Sequence, residues 1–240
     1  MSRTGPGENR HGADPIQFRH YMGATDKRLQ WALLILLLVF FAFLAIAPKD
    51  RQDWAMENGL VFALMAIVVC SWGRLRVSNG SALLLVAFLC IHEVGAHYTY
   101  SLVPYEQWSK SLIGHDLNEL LGWRRNQFDR FAHFTYGLLL VYPVRELLVR
   151  VTPLRGFSAT FLAMNLVLST SAGYELIEWL GGEYVGGDKS ARFIAAQNDK
   201  WDSQKDMALA LLGAVLAMGI ACLSRLFTRS GELKPQEISS

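Results

Sequence analysis

Long apolar runs between short charged segments constrain this chain more than any other feature of its sequence. The first run, residues 31–47, contains no charged residue and ends at Pro48. Because about 20 mostly apolar residues cross the hydrocarbon core of a bilayer as a helix, this run predicts a membrane-spanning helix. The hydrophobic fraction of the whole chain, 52%, exceeds the roughly 45–50% that is usual for soluble domains. This excess predicts further spans.

Six runs of this kind predict an all-α, polytopic membrane helical bundle with about six transmembrane helices. The first two are apolar over most of their length, and the other four carry ionisable residues at one end. The predicted spans are residues 31–47, 58–73, 81–100, 128–144, 157–180 and 201–223. They form one predicted transmembrane domain, residues 29–225. It lies between a mobile cytoplasmic tail, residues 1–28, and a second cytoplasmic tail, residues 226–240.

The basic residues of the short loops predict that both termini are cytoplasmic. With the N-terminus inside, the loops after the second and fourth spans also lie inside. They hold Arg74, Arg76, Arg145, Arg150 and Arg155. Since short cytoplasmic loops carry an excess of Lys and Arg, the orientation is N-in/C-in.

Two segments between the spans have distinct patterns. Residues 109–121 alternate leucines and polar residues at helical spacing, which predicts one amphipathic helix in the outer interface. Residues 181–200 are rich in glycine and predict a loop. The three cysteines lie inside apolar runs, so a disulfide framework is not expected. No basic and aromatic stripe indicates a nucleic-acid partner, and membrane lipids are the expected surroundings.

Four of the predicted spans bring ionisable side chains to the same outer membrane face. Each polar end carries a pair spaced three or four residues apart, which places the pair on one side of its helix. Such groups are costly at membrane depth unless they face a cavity, a partner or an ion. The pattern therefore predicts a functional site built from the pairs Glu93/His97, Asp129/His133, Glu175/Glu178 and Asp202/Asp206.

Three interpretations of this cluster remain open from the sequence. Carboxylates and histidines on facing helices hold the metals of di-metal bundles. The divalent-metal interpretation has as its ligand pool His97, Asp129, His133, Glu175, Glu178, Asp202 and Asp206. The second interpretation is a metal-free acid–base or binding site in which Arg130 contacts an anion. In the third, the acids only hold helices together by pairing with Arg124, Arg125, Arg130 and Lys205.

The leading functional hypothesis is a metal-dependent hydrolase or transferase that acts on a lipid or lipid-linked envelope substrate. In this hypothesis Glu178 is the general base, and His133 and Arg130 complete the catalytic group. His92, Glu93 and Tyr174 are the candidate substrate-binding residues. The alternatives are an ion- or proton-coupled transporter, which the apolar inner halves of the spans disfavour, and a non-enzymatic membrane assembly factor.

One tempting motif fails on its spacing. His92 and His97 frame a segment that looks like a zinc-protease signature, but they are five residues apart. Such a pair diverges by roughly 140° around a helix, whereas the protease motif needs a spacing of four.

Four segments give the chain a resemblance to a known family. Residues 92–100 (HEVGAHYTY), 126–134 (NQFDRFAHF), 174–179 (YELIEW) and 199–207 (DKWDSQKDM) resemble, in this order, the YjdF-like bacterial inner-membrane family. The resemblance covers about residues 30–225. That family is one of unknown function, so the resemblance implies a multi-pass protein of the bacterial inner (plasma) membrane and no particular reaction.

A more distant resemblance is to the VanZ-like proteins. It is carried by the run from Asp129 to Phe134, by Tyr174-Glu175, and by Asp202 or Asp206 at the start of the next helix. It implies a role connected with the cell envelope. The chain departs from that pattern at Glu178-Trp179, where a glutamine is typical, and it has no clear asparagine after the final aspartate.

Overall fold

The computed structural model describes residues 26–70, 77–184 and 197–232. For residues 64–70 and 225–232 only the backbone is described. Within these ranges the chain forms eight helices and no strand, so the all-α prediction is confirmed. Most of the predicted N-terminal tail, and residues 233–240 of the C-terminal one, lie outside the described ranges. The helices are α1 Lys27–Leu44, α2 Arg51–Cys70, α3 Asn79–Tyr98, α4 Tyr105–Ile113, α5 Leu117–Leu121, α6 Phe128–Val151, α7 Gly156–Tyr184 and α8 Asp202–Glu232.

Three of these helices are long and apolar enough to cross a membrane: α1, α3 and the Asp202–Ser224 part of α8. Their outward side chains are large and apolar; Val39 and Phe43 of α1, for example, are 63% and 69% exposed. Such a surface is unfavourable in water and suits the acyl chains of a bilayer. The other three predicted spans correspond to α2, α6 and α7. The count of six spans and the N-in/C-in orientation stay predictions.

Three helices begin before their predicted spans, at polar residues that the apolar pattern does not include. α1 begins at Lys27, since the Asp26 side chain accepts a hydrogen bond from the Arg28 backbone N–H. α2 begins at Arg51 rather than at residue 58, so the polar stretch that contains Asp53 and Glu57 forms its first turns. α3 begins at Asn79, because the Ser78 hydroxyl caps the Ser81 N–H.

Three helices also continue past their predicted ends. α6 runs through Pro143 to Val151, so residues 145–151, predicted as part of an inner turn, are helical. A proline inside a helix removes its own N–H, and here that loss does not end the helix. α7 reaches Tyr184, which makes residues 181–184 of the predicted loop helical, whereas residues 185–196 are not described. α8 continues to Glu232, past residue 225.

The amphipathic segment is two short helices instead of one. α4 ends at Ile113, where Gly114 adopts a left-handed conformation with φ +77°. Asp116 then caps α5 by accepting from the N–H groups of Asn118 and Glu119. Leu112 is 83% exposed and Leu120 62%, so both helices present leucines outward, as expected at a membrane interface.

α6 is the central helix of the bundle and packs against α3, α7 and α8, with its most extensive contact on α8. This contact is unusually close because it is made by glycines. A Cβ atom on Gly137 would overlap the carbonyl oxygen of Ala210, and one on Gly213 would overlap the carbonyl oxygen of Phe134. Small residues allow membrane helices to approach at their backbones. The two helices are parallel, so their N-terminal turns lie side by side.

We expect Gly137→Ala and Gly213→Ala to destabilise the protein by about 1–3 kcal/mol each, because the added methyl groups force α6 and α8 apart. The measurement is thermal unfolding in detergent. Gly219→Ala is the matched control on α8, since nothing lies within 4 Å of its added Cβ. Equal melting temperatures for all three variants would contradict the close contact.

Candidate functional site

Asp129, His133 and Asp206 form the centre of a buried polar cluster at the N-terminal ends of α6 and α8. One ligand atom from each residue lies within 4.8 Å of the others, and all three residues are buried. Asp129 and His133 are one helical turn apart on α6, which puts them on the same face. The close packing of α8 on that face adds Asp206.

The orientation of the His133 ring points one nitrogen at carboxylates. Its Nδ1 lies 3.4 Å from the hydroxyl of Ser171 on α7. Its Nε2 lies 3.2 Å from Glu175 Oε1 and 3.8 Å from Asp129 Oδ1. The contact with Glu175 is short enough for an ion pair but is not aligned as a hydrogen bond. If the Ser171 hydroxyl accepts a hydrogen bond from Nδ1–H, then Nε2 carries a lone pair that faces the carboxylate lone pairs. Such an arrangement needs a proton or a cation between them.

Further acids surround this centre with few compensating hydrogen bonds. Glu178 of α7 is buried and interacts electrostatically with Asp129, Glu175 and Asp206. Glu175 Oε1 and Asp206 Oδ1 have no hydrogen-bond partner among the described residues. Because a buried ionised carboxylate is costly without a partner, the cluster favours bound positive charge.

Asp202 lies beside this centre, and its carboxylate forms ion pairs with two arginines. Arg125 Nη1 is 2.5 Å from Asp202 Oδ1, and Arg130 Nη2 is 3.1 Å from the same oxygen. Arg130 also bonds Asp199 at 2.6 Å, and Lys205 Nζ lies 2.5 Å from that carboxylate. We call these five residues the ion-pair rim. Asp202 was predicted as a ligand and Arg130 as an anion contact. In the structure, both side chains are already engaged in these ion pairs.

Asp199 lies in the loop before α8, outside the apolar part of the bundle. The hydrogen bond from Lys205 holds the pKa of its carboxyl well below its usual range, with help from the Trp201 backbone N–H and from Arg130. The carboxylate therefore stays charged, and the rim stays paired, across the physiological pH range.

The two histidines at the polar end of α3, His92 and His97, make hydrogen bonds outside the cluster. His92 Nδ1 is 2.6 Å from the Tyr100 hydroxyl, and both oxygens of the buried Glu93 lack a hydrogen-bond partner among the described residues. His97 is not among the residues whose ligand atoms converge, and its Nδ1 lies 2.7 Å from the Leu44 carbonyl oxygen of α1. Spacing places His97 on the same side of α3 as Glu93, but α1 packs there and takes its hydrogen bond.

Tyr174 connects the cluster to a carboxylate that the sequence analysis missed. Its hydroxyl donates to Glu57 Oε2, and Glu57 is 5% exposed on α2. Glu57 also interacts electrostatically with Asp129. It was missed because the second span was predicted to start at residue 58. The signal was present, since Asp53 and Glu57 form another pair four residues apart at a helix start on the same face. Ser171, buried in an apolar stretch, gave no comparable signal.

Glu146 is a buried carboxylate at the other end of α6 and shows the opposite arrangement. It accepts hydrogen bonds from the backbone N–H and the hydroxyl of Ser78, each at 2.7 Å, and from the Ser81 hydroxyl. Arg150 pairs with it at 2.5 Å. Since these donors satisfy both oxygens, Glu146 has a structural role that joins α3 to α6.

We expect Tyr174→Phe to destabilise the protein by about 1–3 kcal/mol, because the buried Glu57 Oε2 would lose its donor. Thermal unfolding in detergent measures the loss. The control is Tyr136→Phe, which removes a hydroxyl that contacts the neutral Thr170 hydroxyl at 2.5 Å and leaves no carboxylate without a donor. An equal effect of the two substitutions would contradict the buried bond.

Comparison with known proteins agrees with the membrane character of the fold. A family described as "Predicted membrane protein (DUF2238)" matches residues 29–227. The chain is also similar to the inner membrane protein YjdF of Escherichia coli (strain K12), with 34% identity over 185 residues, 77% of this chain and 83% of that protein. No solved structure matches the chain.

These matches confirm the resemblance to the YjdF-like family and the inner-membrane location, whereas the VanZ-like resemblance stays a prediction. The chain belongs to the family described as "Predicted membrane protein (DUF2238)".

Proposed function

We propose that this protein is a membrane-embedded, metal-dependent hydrolase or transferase that acts at the outer leaflet on a lipid or lipid-linked envelope substrate. The observation that carries the proposal is the convergence of Asp129, His133 and Asp206, buried and with ligand atoms within 4.8 Å of one another. One imidazole and two carboxylates suit divalent ions such as zinc, manganese or iron.

The donor set fits an ion with a small adjustment. In a tetrahedral site with bonds of about 2.1 Å, ligand atoms lie roughly 3.4 Å apart, so the three side chains must close by about 1 Å. Asp206 Oδ1 has no competing hydrogen bond among the described residues. Ser171, at His133 Nδ1, resembles the outer partners that fix the tautomer of metal-binding histidines.

Glu178 is the proposed general base. It lies among the acids that surround the centre, and a buried carboxylate next to a reacting water can accept its proton. A divalent ion would supply Lewis acidity and lower the pKa of such a water. Glu175, whose Oε1 lies 3.2 Å from His133 Nε2, would be a further carboxylate ligand of the ion.

An apolar layer favours an enzyme over a transporter. Below the cluster, the fully buried side chains of Val141, Ala163, Val167 and Ala214 pack together across α6, α7 and α8. In the described part of the bundle this layer separates the cluster from the polar contacts of Glu146. A proton or ion relay would need polar groups there.

The proposed topology is six spans with both termini cytoplasmic, which places the cluster and α4 at the outer face. Single cysteines in a cysteine-free background test it. His115→Cys, in the exposed turn between α4 and α5, should react with a membrane-impermeant maleimide in intact spheroplasts. Arg155→Cys, exposed between α6 and α7, should react only after lysis. The opposite pattern would contradict the orientation.

Elemental analysis of the detergent-purified protein tests the metal centre. We expect about one divalent ion per chain in the wild type and its loss in His133→Ala and Asp206→Asn, because each substitution removes a ligand. Ser171→Ala should weaken metal affinity by about 10–100-fold, as outer partners of a ligating histidine do. Glu178→Gln should keep the metal.

The control is His115→Ala, which removes an exposed histidine of the same type and should keep the metal. Thermal unfolding of each variant confirms that the fold is retained. Freshly prepared wild-type protein without any divalent ion, or with an ion that survives both ligand substitutions, would contradict the proposal.

A further inference from the structure

We infer that an anionic glycerophospholipid binds beside the cluster, with its phosphate at Lys205 and one acyl chain along α8. The inference rests on the proposed function, since it names the substrate class of that site. It starts from an open groove of about 320 Å³, lined by Arg130, Lys205, Ala208, Leu209 and Leu212.

The groove has a cationic end and an apolar end. Lys205, Ala208, Leu209 and Leu212 follow the spacing i, i+3, i+4, i+7 and therefore share one face of α8. At 1.5 Å per residue they cover roughly 10 Å along the helix axis. The polar end of this face belongs to the ion-pair rim, whereas the other end carries only aliphatic side chains.

The charged lining of the groove is cationic. Arg130 and Lys205 form its polar end, whereas the other lining residues, Ala208, Leu209 and Leu212, are uncharged. The Lys205 side chain is 48% exposed and gives Asp199 one of its three ammonium hydrogens. The remaining hydrogens can bond a phosphate oxygen.

The depth of the groove matches a lipid rather than a free phosphate. Trp201, 55% exposed, lies at the start of α8, where interfacial tryptophans mark the head-group level. Leu212, 48% exposed, lies about three turns deeper. A free phosphate would contact only the cationic end, whereas a lipid also covers Leu209 and Leu212.

The groove places such a phosphate next to the proposed metal centre. Arg130 lines the groove, and its Nη2 lies 3.1 Å from Oδ1 of Asp202, which is beside the proposed centre. Its guanidinium therefore connects the groove with the edge of that centre. A phosphate ester of a membrane lipid is therefore the substrate class that reaches the centre without leaving the bilayer.

Native mass spectrometry of the full chain in detergent tests the inference with two probes of the same acyl chains, phosphatidylglycerol and phosphatidylcholine. Wild-type protein should retain phosphatidylglycerol roughly tenfold better, as one charge-assisted contact allows. Lys205→Gln should abolish this preference. Leu212→Trp should reduce retention of both lipids by filling the apolar end.

Two matched controls belong to the same experiment. Lys200→Gln removes a nearby cation that lies over the Trp201 ring and does not line the groove, and Leu216→Trp adds the same bulk one turn beyond it. Both should behave as wild type. An unchanged preference in Lys205→Gln, or equal loss in Lys200→Gln, would overturn the inference. Displacement of the lipid by millimolar inorganic phosphate would also overturn it, because a phosphate-only site needs no acyl chain.

His133→Ala separates this inference from the proposed function. If the variant loses metal but keeps the phosphatidylglycerol preference, the lipid site stands independently of the ion. If wild-type protein holds no metal but shows the preference, the proposed function fails and the lipid site remains. If it holds metal without any lipid preference, the inference fails and the metal centre remains.

Discussion

The close contact of α6 with α8 is the constraint on which the rest of the structure depends. Gly137 lies against Ala210 and Ala214, and Gly213 lies against Phe134 and Leu138. The backbones of the two helices therefore pack directly against each other. Because the helices are parallel, this register also decides which side chains meet at their N-terminal turns. Asp206 faces His133, and Asp202 faces the arginines of the rim. A wider separation would pull these groups apart and admit lipid or water between them.

The two buried carboxylate sites of the bundle differ in how their charge is compensated. Glu146 receives hydrogen bonds from two serines and an arginine, so its burial is offset by fixed donors. The cluster at the opposite end holds more carboxylates and leaves two of their oxygens, Glu175 Oε1 and Asp206 Oδ1, without donors among the described residues. Burying acids in this way destabilises a fold. Such an arrangement is understandable where a cation or a substrate completes it.

The sequence predicted much of this arrangement because helical spacing and the alternation of membrane spans are simple geometric rules. Helical spacing puts pairs such as Asp129/His133 on one face, and the predicted alternation of spans brings the polar ends of α6, α7 and α8 together. The spacing does not reveal which neighbour a face meets. His97 was therefore assigned to the cluster, although its imidazole bonds the end of α1.

Other features depend on contacts that no local pattern encodes. The chain contains 20 glycines, and the sequence around Gly137 and Gly213 does not distinguish them from Gly219, where an added Cβ would meet nothing within 4 Å. Arg125 reaches Asp202 only because the segment before α6 folds back over the start of α8. Glu57 lies in the polar first turns of α2, before the hydrophobic run that predicts the span, so hydropathy alone does not identify it.

At the end of α3, the residues at positions 95 and 100 are in direct contact. Thr99 and Tyr100 both have positive φ, at 58° and 45°, conformations that cost free energy in residues other than glycine. The Tyr100 ring lies where a Cβ on Gly95 would be, and its hydroxyl bonds His92. A side chain at position 95 would therefore require the ring at position 100 to move or to be removed. Either change would disturb the hydrogen bond that holds His92.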